Sequence, residues 1–153
     1  MKKLLKIIGI ISLLLSVSSF APSPNDWKIY FENETIKIES SLFSCDKPSD
    51  DIHNKYIILK VTNKTDKNIE VSFYQELWYN QICTTCNKMQ EFETKIKLQP
   101  NEVQKADCDS KTKELKIFES NSYSKKALSK FELTDIIINP KNWKDENVKE
   151  SCG

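Results

Sequence analysis

The run that decides the fold is Tyr56-Ile57-Ile58-Leu59-Lys60-Val61, the linker Asn63-Lys64-Thr65-Asp66-Lys67-Asn68, and then Ile69-Glu70-Val71-Ser72-Phe73-Tyr74-Gln75-Glu76-Leu77-Trp78-Tyr79. The first block is almost all apolar, as expected for a central strand buried on both faces. The last block alternates Ile69, Val71, Phe73, Gln75, Leu77 and Tyr79 with outward positions, a period of two. The linker between them is rich in Asn and Asp, residues that tolerate left-handed turns. Together they read as two antiparallel strands.

The same pattern extends both ways. Segment 27–32 alternates Trp27, Ile29 and Phe31 with Lys28, Tyr30 and Glu32. Segment 35–39 sets Ile36 and Ile38 opposite Lys37 and Glu39. Downstream, 92–98 alternates, 102–106 and 115–118 are short, and 131–138 closes the set before Pro140. One helical turn is expected over 124–129. Segments at this spacing define an all-β chain, an antiparallel β-sandwich of about seven to eight strands, immunoglobulin-like in general architecture.

The N-terminus reads as an export signal. Met1-Lys2-Lys3 is basic, an eleven-residue apolar run spans 7–17, and small residues follow at Ser18, Ser19 and Ala21. The run is too short to span a bilayer comfortably. The reading is a cleavable signal peptide over 1–21, with the cut within 19–21, a sandwich domain over 22–140 and a polar tail over 141–153. An uncleaved anchor is the competing reading. The protein is then periplasmic or extracellular, with no stable membrane span after cleavage.

Composition narrows the function. The chain has two glycines, Gly9 and Gly153, so the body lacks the Gly-rich turns of dinucleotide sites, P-loops and nucleophile elbows. It has one histidine, His53, and all 23 basic residues are Lys. Removing the leader with its three lysines leaves 20 Lys against 22 acids, a net charge of −2. Nothing there calls for nucleic acid, which needs a basic face. No cofactor, metal or catalytic residue is expected. His53 with Asp50 or Asp51 is a possible base, but reads as an ordinary loop residue before a strand.

Five cysteines follow the leader: Cys45, Cys83, Cys86, Cys108 and Cys152. In an oxidising compartment they are disulfide candidates first. Strand order brings Cys45, Cys83, Cys86 and Cys108 to one pole of the sandwich. Two disulfides, in any of three pairings, compete with a four-Cys zinc site and with a redox-active Cys83-Thr84-Thr85-Cys86. Cys152 is the odd thiol.

Among the aromatics, Trp78 and Tyr79 are adjacent and must face opposite ways. One is expected in the core and the other outside. Trp78, Tyr79 and Tyr74, with Trp27 and Tyr30, are the candidates for stacking on sugar rings. Core and edge packing is the plainer reading of the set. Asn33-Glu34-Thr35 and Asn63-Lys64-Thr65 fit the glycosylation sequon, which matters only in a eukaryotic secretory route.

The block Glu76-Leu77-Trp78-Tyr79-Asn80-Gln81-Ile82-Cys83-Thr84-Thr85-Cys86, with Asp107-Cys108-Asp109, Leu115-Lys116-Ile117-Phe118 and Leu128-Ser129-Lys130-Phe131-Glu132-Leu133, resembles small exported proteins of flavobacterial type. The likeness covers most of 45–138. It implies a bacterial envelope location and a cysteine-tied β fold, and brings no activity. The expected function is a non-enzymatic structural or protein-binding role, the partner an unspecified protein. The alternative is a carbohydrate-binding module with a glycan partner.

Overall fold

The computed structural model describes residues 26–47, 52–87, 90–109 and 113–141. The expected leader, Cys152 and the tail beyond Lys141 lie outside the described residues. Among those described, nine strands form: β1 (Lys28–Glu32), β2 (Ile36–Lys47), β3 (Ile52–Asn63), β4 (Ile69–Tyr79), β5 (Ile82–Cys83), β6 (Glu93–Leu98), β7 (Val103–Lys105), β8 (Lys116–Asn121) and β9 (Leu128–Pro140). A 3-10 turn, Gln90–Phe92, leads into β6.

The strands make two antiparallel sheets, the β-sandwich expected. In the first, β1, β2 and β3 lie side by side, and β7 and β8 share the far edge of β3. In the second, β9 lies along one edge of β4, while β5 and β6 share the other. Cross-strand partners fix which side chains look inward. Ile36, Ile38, Leu59 and Val61 do so from the first sheet, and Ile69, Val71, Phe73, Ile96 and Leu98 from the second. Ile36, Ile38, Leu59, Val61, Val71, Phe73 and Leu98 are fully buried. At roughly 1.5–3 kcal/mol for each fully buried large side chain, this facing set is the main stabilising term.

The turns depart from expectation. The 63–68 linker uses no left-handed residue. Instead Asn63, itself 1% exposed, organises it through its amide. Nδ2 donates to the carbonyls of Lys67 and Gln99, both at 2.7 Å, and Oδ1 accepts from the Thr65 N–H at 2.9 Å and the Thr65 hydroxyl at 2.8 Å. At 99–102 the expected Pro-Asn turn forms: Asn101 has φ 57°, and the Glu102 N–H donates to the Gln99 carbonyl at 3.1 Å. The low glycine content points to long connections, yet β4 and β5 are joined by two residues. Asn80 (φ 49°) and Gln81 (φ 68°) are both left-handed, the type I′ form that glycine usually supplies.

Four bulges bend the ladders, one of them at Glu119 in β8, between the partners of Lys55 and Tyr56. Another is at Tyr30 in β1, where Ile29 pairs Glu39 and Phe31 pairs Ile38. The bulge breaks the expected Trp27–Ile29–Phe31 face: Ile29 is 62% exposed while Tyr30 turns inward. In β9, Asp135 (φ 51°) and Ile136 oppose the single residue Phe73, and Ser129 is extra beside Trp78 and Tyr79. The helical turn over 124–129 is absent. The Asn121 Oδ1 accepts from the Tyr123 and Ser124 N–H groups, and Leu128 already opens β9. An Asn side chain that satisfies successive amides offers the chain an alternative to helix.

Candidate functional site

The cysteines form two disulfides, Cys45–Cys108 and Cys83–Cys86, with Cα separations of 5.4 and 5.8 Å. Both lie toward the expected pole, the end where β2 and β4 finish, but on different sheets. Strand β2 runs to Lys47, well past the expected Glu39, so Cys45 sits within the ladder opposite Asn54. By register it faces outward from the first sheet, in the row of Glu39, Ser41 and Phe43. Cys83 pairs with Trp78 and so shares the outer face of the second sheet. The two bridges therefore staple opposite outer faces, and no four-Cys metal cluster is assembled.

The Cys45–Cys108 bridge has a topological consequence. Cys108 lies between β7 and β8, which both flank β3, whereas Cys45 belongs to β2 on the far side of β3. The connection must therefore cross β3 on its outer face. Ile58, an outward position, is accordingly 0% exposed, and Ala106 in the crossing segment is 2% exposed. The strap explains why 56–61 is apolar on both faces. The Cys83–Cys86 loop is held independently. The Leu77 N–H donates to Thr85 Oγ1 at 2.8 Å, and that hydroxyl donates to the Gln75 carbonyl at 2.6 Å.

The aromatic candidates separate as strand alternation requires. Tyr79 faces inward, and its hydroxyl donates to the Phe118 carbonyl at 2.7 Å, joining the two sheets. Burial, aided by the nearby Glu119 charge, pushes its phenol above the ordinary value. Tyr79 is thus withdrawn from the outward aromatic strip. Trp78 and Tyr74 share the outer face of the second sheet, opposite Lys130 and Thr134. The Lys130 ammonium lies 4.4 Å from the Trp78 ring centroid and also pairs with Glu132 at 2.7 Å. One face of the indole is occupied by a cation.

A second aromatic row was not singled out from the sequence. Trp27, Phe43, Tyr56 and Phe118 cross the outer face of the first sheet from β1 to β8. Phe43 and Tyr56 are direct cross-strand partners, as are Tyr56 and Phe118. Ring centroids are 5.7 Å apart in both Trp27–Phe43 and Tyr56–Phe118, with planes at 59° and 74°. Lys60 caps Trp27 at 4.3 Å and Lys116 caps Tyr56 at 4.5 Å. Beneath them Glu39, 8% exposed, sits between Lys60 (2.9 Å) and Lys37 (3.3 Å). Burial raises the Glu39 pKa, but hydrogen bonds and charge from the two lysines outweigh it and hold the carboxyl below its ordinary value. The row could not be found by scanning one strand, because β2, β3, β8 and the segment just before β1 each contribute a single ring.

His53 is in β3 rather than a loop. It faces Asp46 across the ladder, with Nδ1 3.0 Å from Oδ1, at an exposed position. A cleft of about 300 Å³ opens beside β4, lined by Gln75, Leu77, Phe92, Thr94 and Glu114 among others. Gln75 spans its floor, donating to Thr94 Oγ1 at 2.9 Å and to the Glu114 carbonyl at 2.6 Å. Of the sequon residues, Asn63 is buried and fully engaged, and Asn33 accepts from the Thr35 and Ile36 amides. No helix among the described residues is long and apolar enough to cross a membrane.

Fold and site together define a disulfide-stapled antiparallel β-sandwich with aromatic residues on both outer faces. Comparison with protein-family models, curated proteins and solved structures finds no match to this chain.

Proposed function

We propose that this chain is an exported envelope or extracellular protein with a non-enzymatic role, structural or protein-binding, exercised through the outer face of the first sheet. The observation that carries the reading is the aromatic row Trp27–Phe43–Tyr56–Phe118, on the same outer face as the disulfide-held strap. An antiparallel sheet ordinarily turns polar residues to water. Here four partly buried rings cross that face, and aromatic rings are enriched where protein surfaces meet. The two disulfides support an oxidising compartment. The expected leader and the flavobacterial likeness support a bacterial envelope.

The tilted ring planes fit protein packing better than a sugar platform, which needs rings exposed side by side. Tyr74 and Trp78 remain the residues on which a glycan reading would rest. A pull-down from the envelope fraction, run beside a glycan-binding screen, tests the proposal. The expected result is an envelope protein retained by the wild type and released by Trp27→Ala. A glycan bound by the wild type and lost with Trp78→Ala would replace the proposal with the carbohydrate reading. Flat results in both would leave a structural role alone.

A further inference from the structure

The end of the sandwich where β4 and β8 finish and β9 begins carries a hydrogen-bonded tip. The Asn80-Gln81 turn is tied to the 122–127 crossover by its own amide. Asn80 Nδ2 donates to the Lys125 carbonyl at 3.1 Å, and the Ala127 N–H donates to Asn80 Oδ1 at 3.2 Å. The Asn80 N–H donates to the Ala127 carbonyl at 3.0 Å, and the Gln81 N–H to Ser129 Oγ at 2.8 Å. Four bonds thus make one unit of two loops. That unit carries two large exposed side chains: Ile82 is 70% exposed and Tyr123 is 66% exposed. Lys125 and Lys126 follow Tyr123 by two and three residues and are exposed. Between Glu119 and Glu132 the chain has three lysines and no acid.

We propose that this tip docks peripherally on an anionic lipid bilayer. An exposed Ile and an amphipathic Tyr near ammonium groups have the composition of an interfacial anchor: the side chains enter the headgroup boundary and the lysines meet the negative surface. The body beyond the leader has a net charge of −2, so the basic tip is a local exception that orients the molecule toward such a surface. The hydrogen-bonded turn keeps Ile82 and Tyr123 presented before contact, so little ordering is lost on binding.

Co-sedimentation of the full chain with phosphatidylglycerol vesicles and with phosphatidylcholine vesicles tests this. The comparison is between the wild type, Lys125→Gln/Lys126→Gln, Ile82→Ser/Tyr123→Ser, and Lys105→Gln on β7 as a control. Any contribution of the leader is common to all four. The expected result is salt-sensitive binding to phosphatidylglycerol, weakened roughly thirtyfold in the double lysine variant at about 1 kcal/mol per lysine, weakened in Ile82→Ser/Tyr123→Ser, and unchanged in Lys105→Gln. Intact mass showing both disulfides, with an unaltered unfolding midpoint, establishes that the tip variants are folded. Equal binding to both lipids, binding indifferent to the tip variants, or no binding to phosphatidylglycerol would overturn the proposal.

Discussion

Asn80, Gln81, Asn101 and Asp135 hold left-handed backbone in a body without glycine. Asn and Asp adopt that conformation at modest cost, but Gln81 gains nothing local from its side chain. Gln81→Gly is therefore expected to raise the unfolding free energy by about 1 kcal/mol, read as a higher urea midpoint with an unchanged slope. Asn63 is the opposite case. Its buried amide makes four hydrogen bonds that close two loops at once. Asn63→Ala leaves the Lys67 and Gln99 carbonyls and the Thr65 amide without it, and is expected to cost about 3 kcal/mol by the same measurement. The sequence pointed to an Asn-rich turn at this place. It could not show that the Asn acts through its side chain, because that depends on the Gln99 carbonyl, 36 residues away.

At the scale of elements, the two disulfides are unequal. Cys45–Cys108 closes a loop of 63 residues and Cys83–Cys86 one of 3. Chain entropy assigns them about 4 and about 2 kcal/mol. The Thr84–Thr85 bonds to β4 hold the short loop even without its bridge. Cys45→Ala/Cys108→Ala is expected to lower the urea midpoint far more than Cys83→Ala/Cys86→Ala, and to expose the strap to limited proteolysis. Strand β2 carries a second dependence. The Glu39 carboxyl is held below its ordinary value of 4.5 by Lys60 and Lys37. Its contribution is complete above that value and disappears as pH falls through the lower, folded-state pKa. Stability measured from pH 6 down to pH 3 should fall more gently in Glu39→Gln than in the wild type. Strand existence was legible wherever the period-two pattern is long enough to show, because that pattern is local; the two-residue β5 is too short to carry it. Strand length was not: β2 runs on through Ser40, Leu42 and Ser44 because β3 continues beside it.

Across the whole molecule, side chains close the open sides of the sandwich. On one side Tyr30 of β1 accepts the Leu133 N–H of β9 at 2.7 Å and stacks on Phe131 at 5.3 Å. On the other, Gln104 of β7 donates to the Lys97 carbonyl of β6 at 2.7 Å. Edge strands are templates for pairing with another chain, and these contacts blunt them. Tyr30→Ala removes both the acceptor and the ring. It is expected to cost about 3 kcal/mol and to give larger species in light scattering, whereas Tyr30→Phe, which keeps the stack, should lose only about 1 kcal/mol and remain the size of the wild type. By itself the sequence determined the all-β class, the order of the strands and the cysteines available for bridging, because alternation and residue chemistry are properties of short windows. The tertiary structure alone decided which cysteines meet, that they staple opposite faces, and that four rings from four separate segments form one row. Those facts depend on register and on the side of β3 the strap crosses, and both are set by packing between residues far apart in the chain.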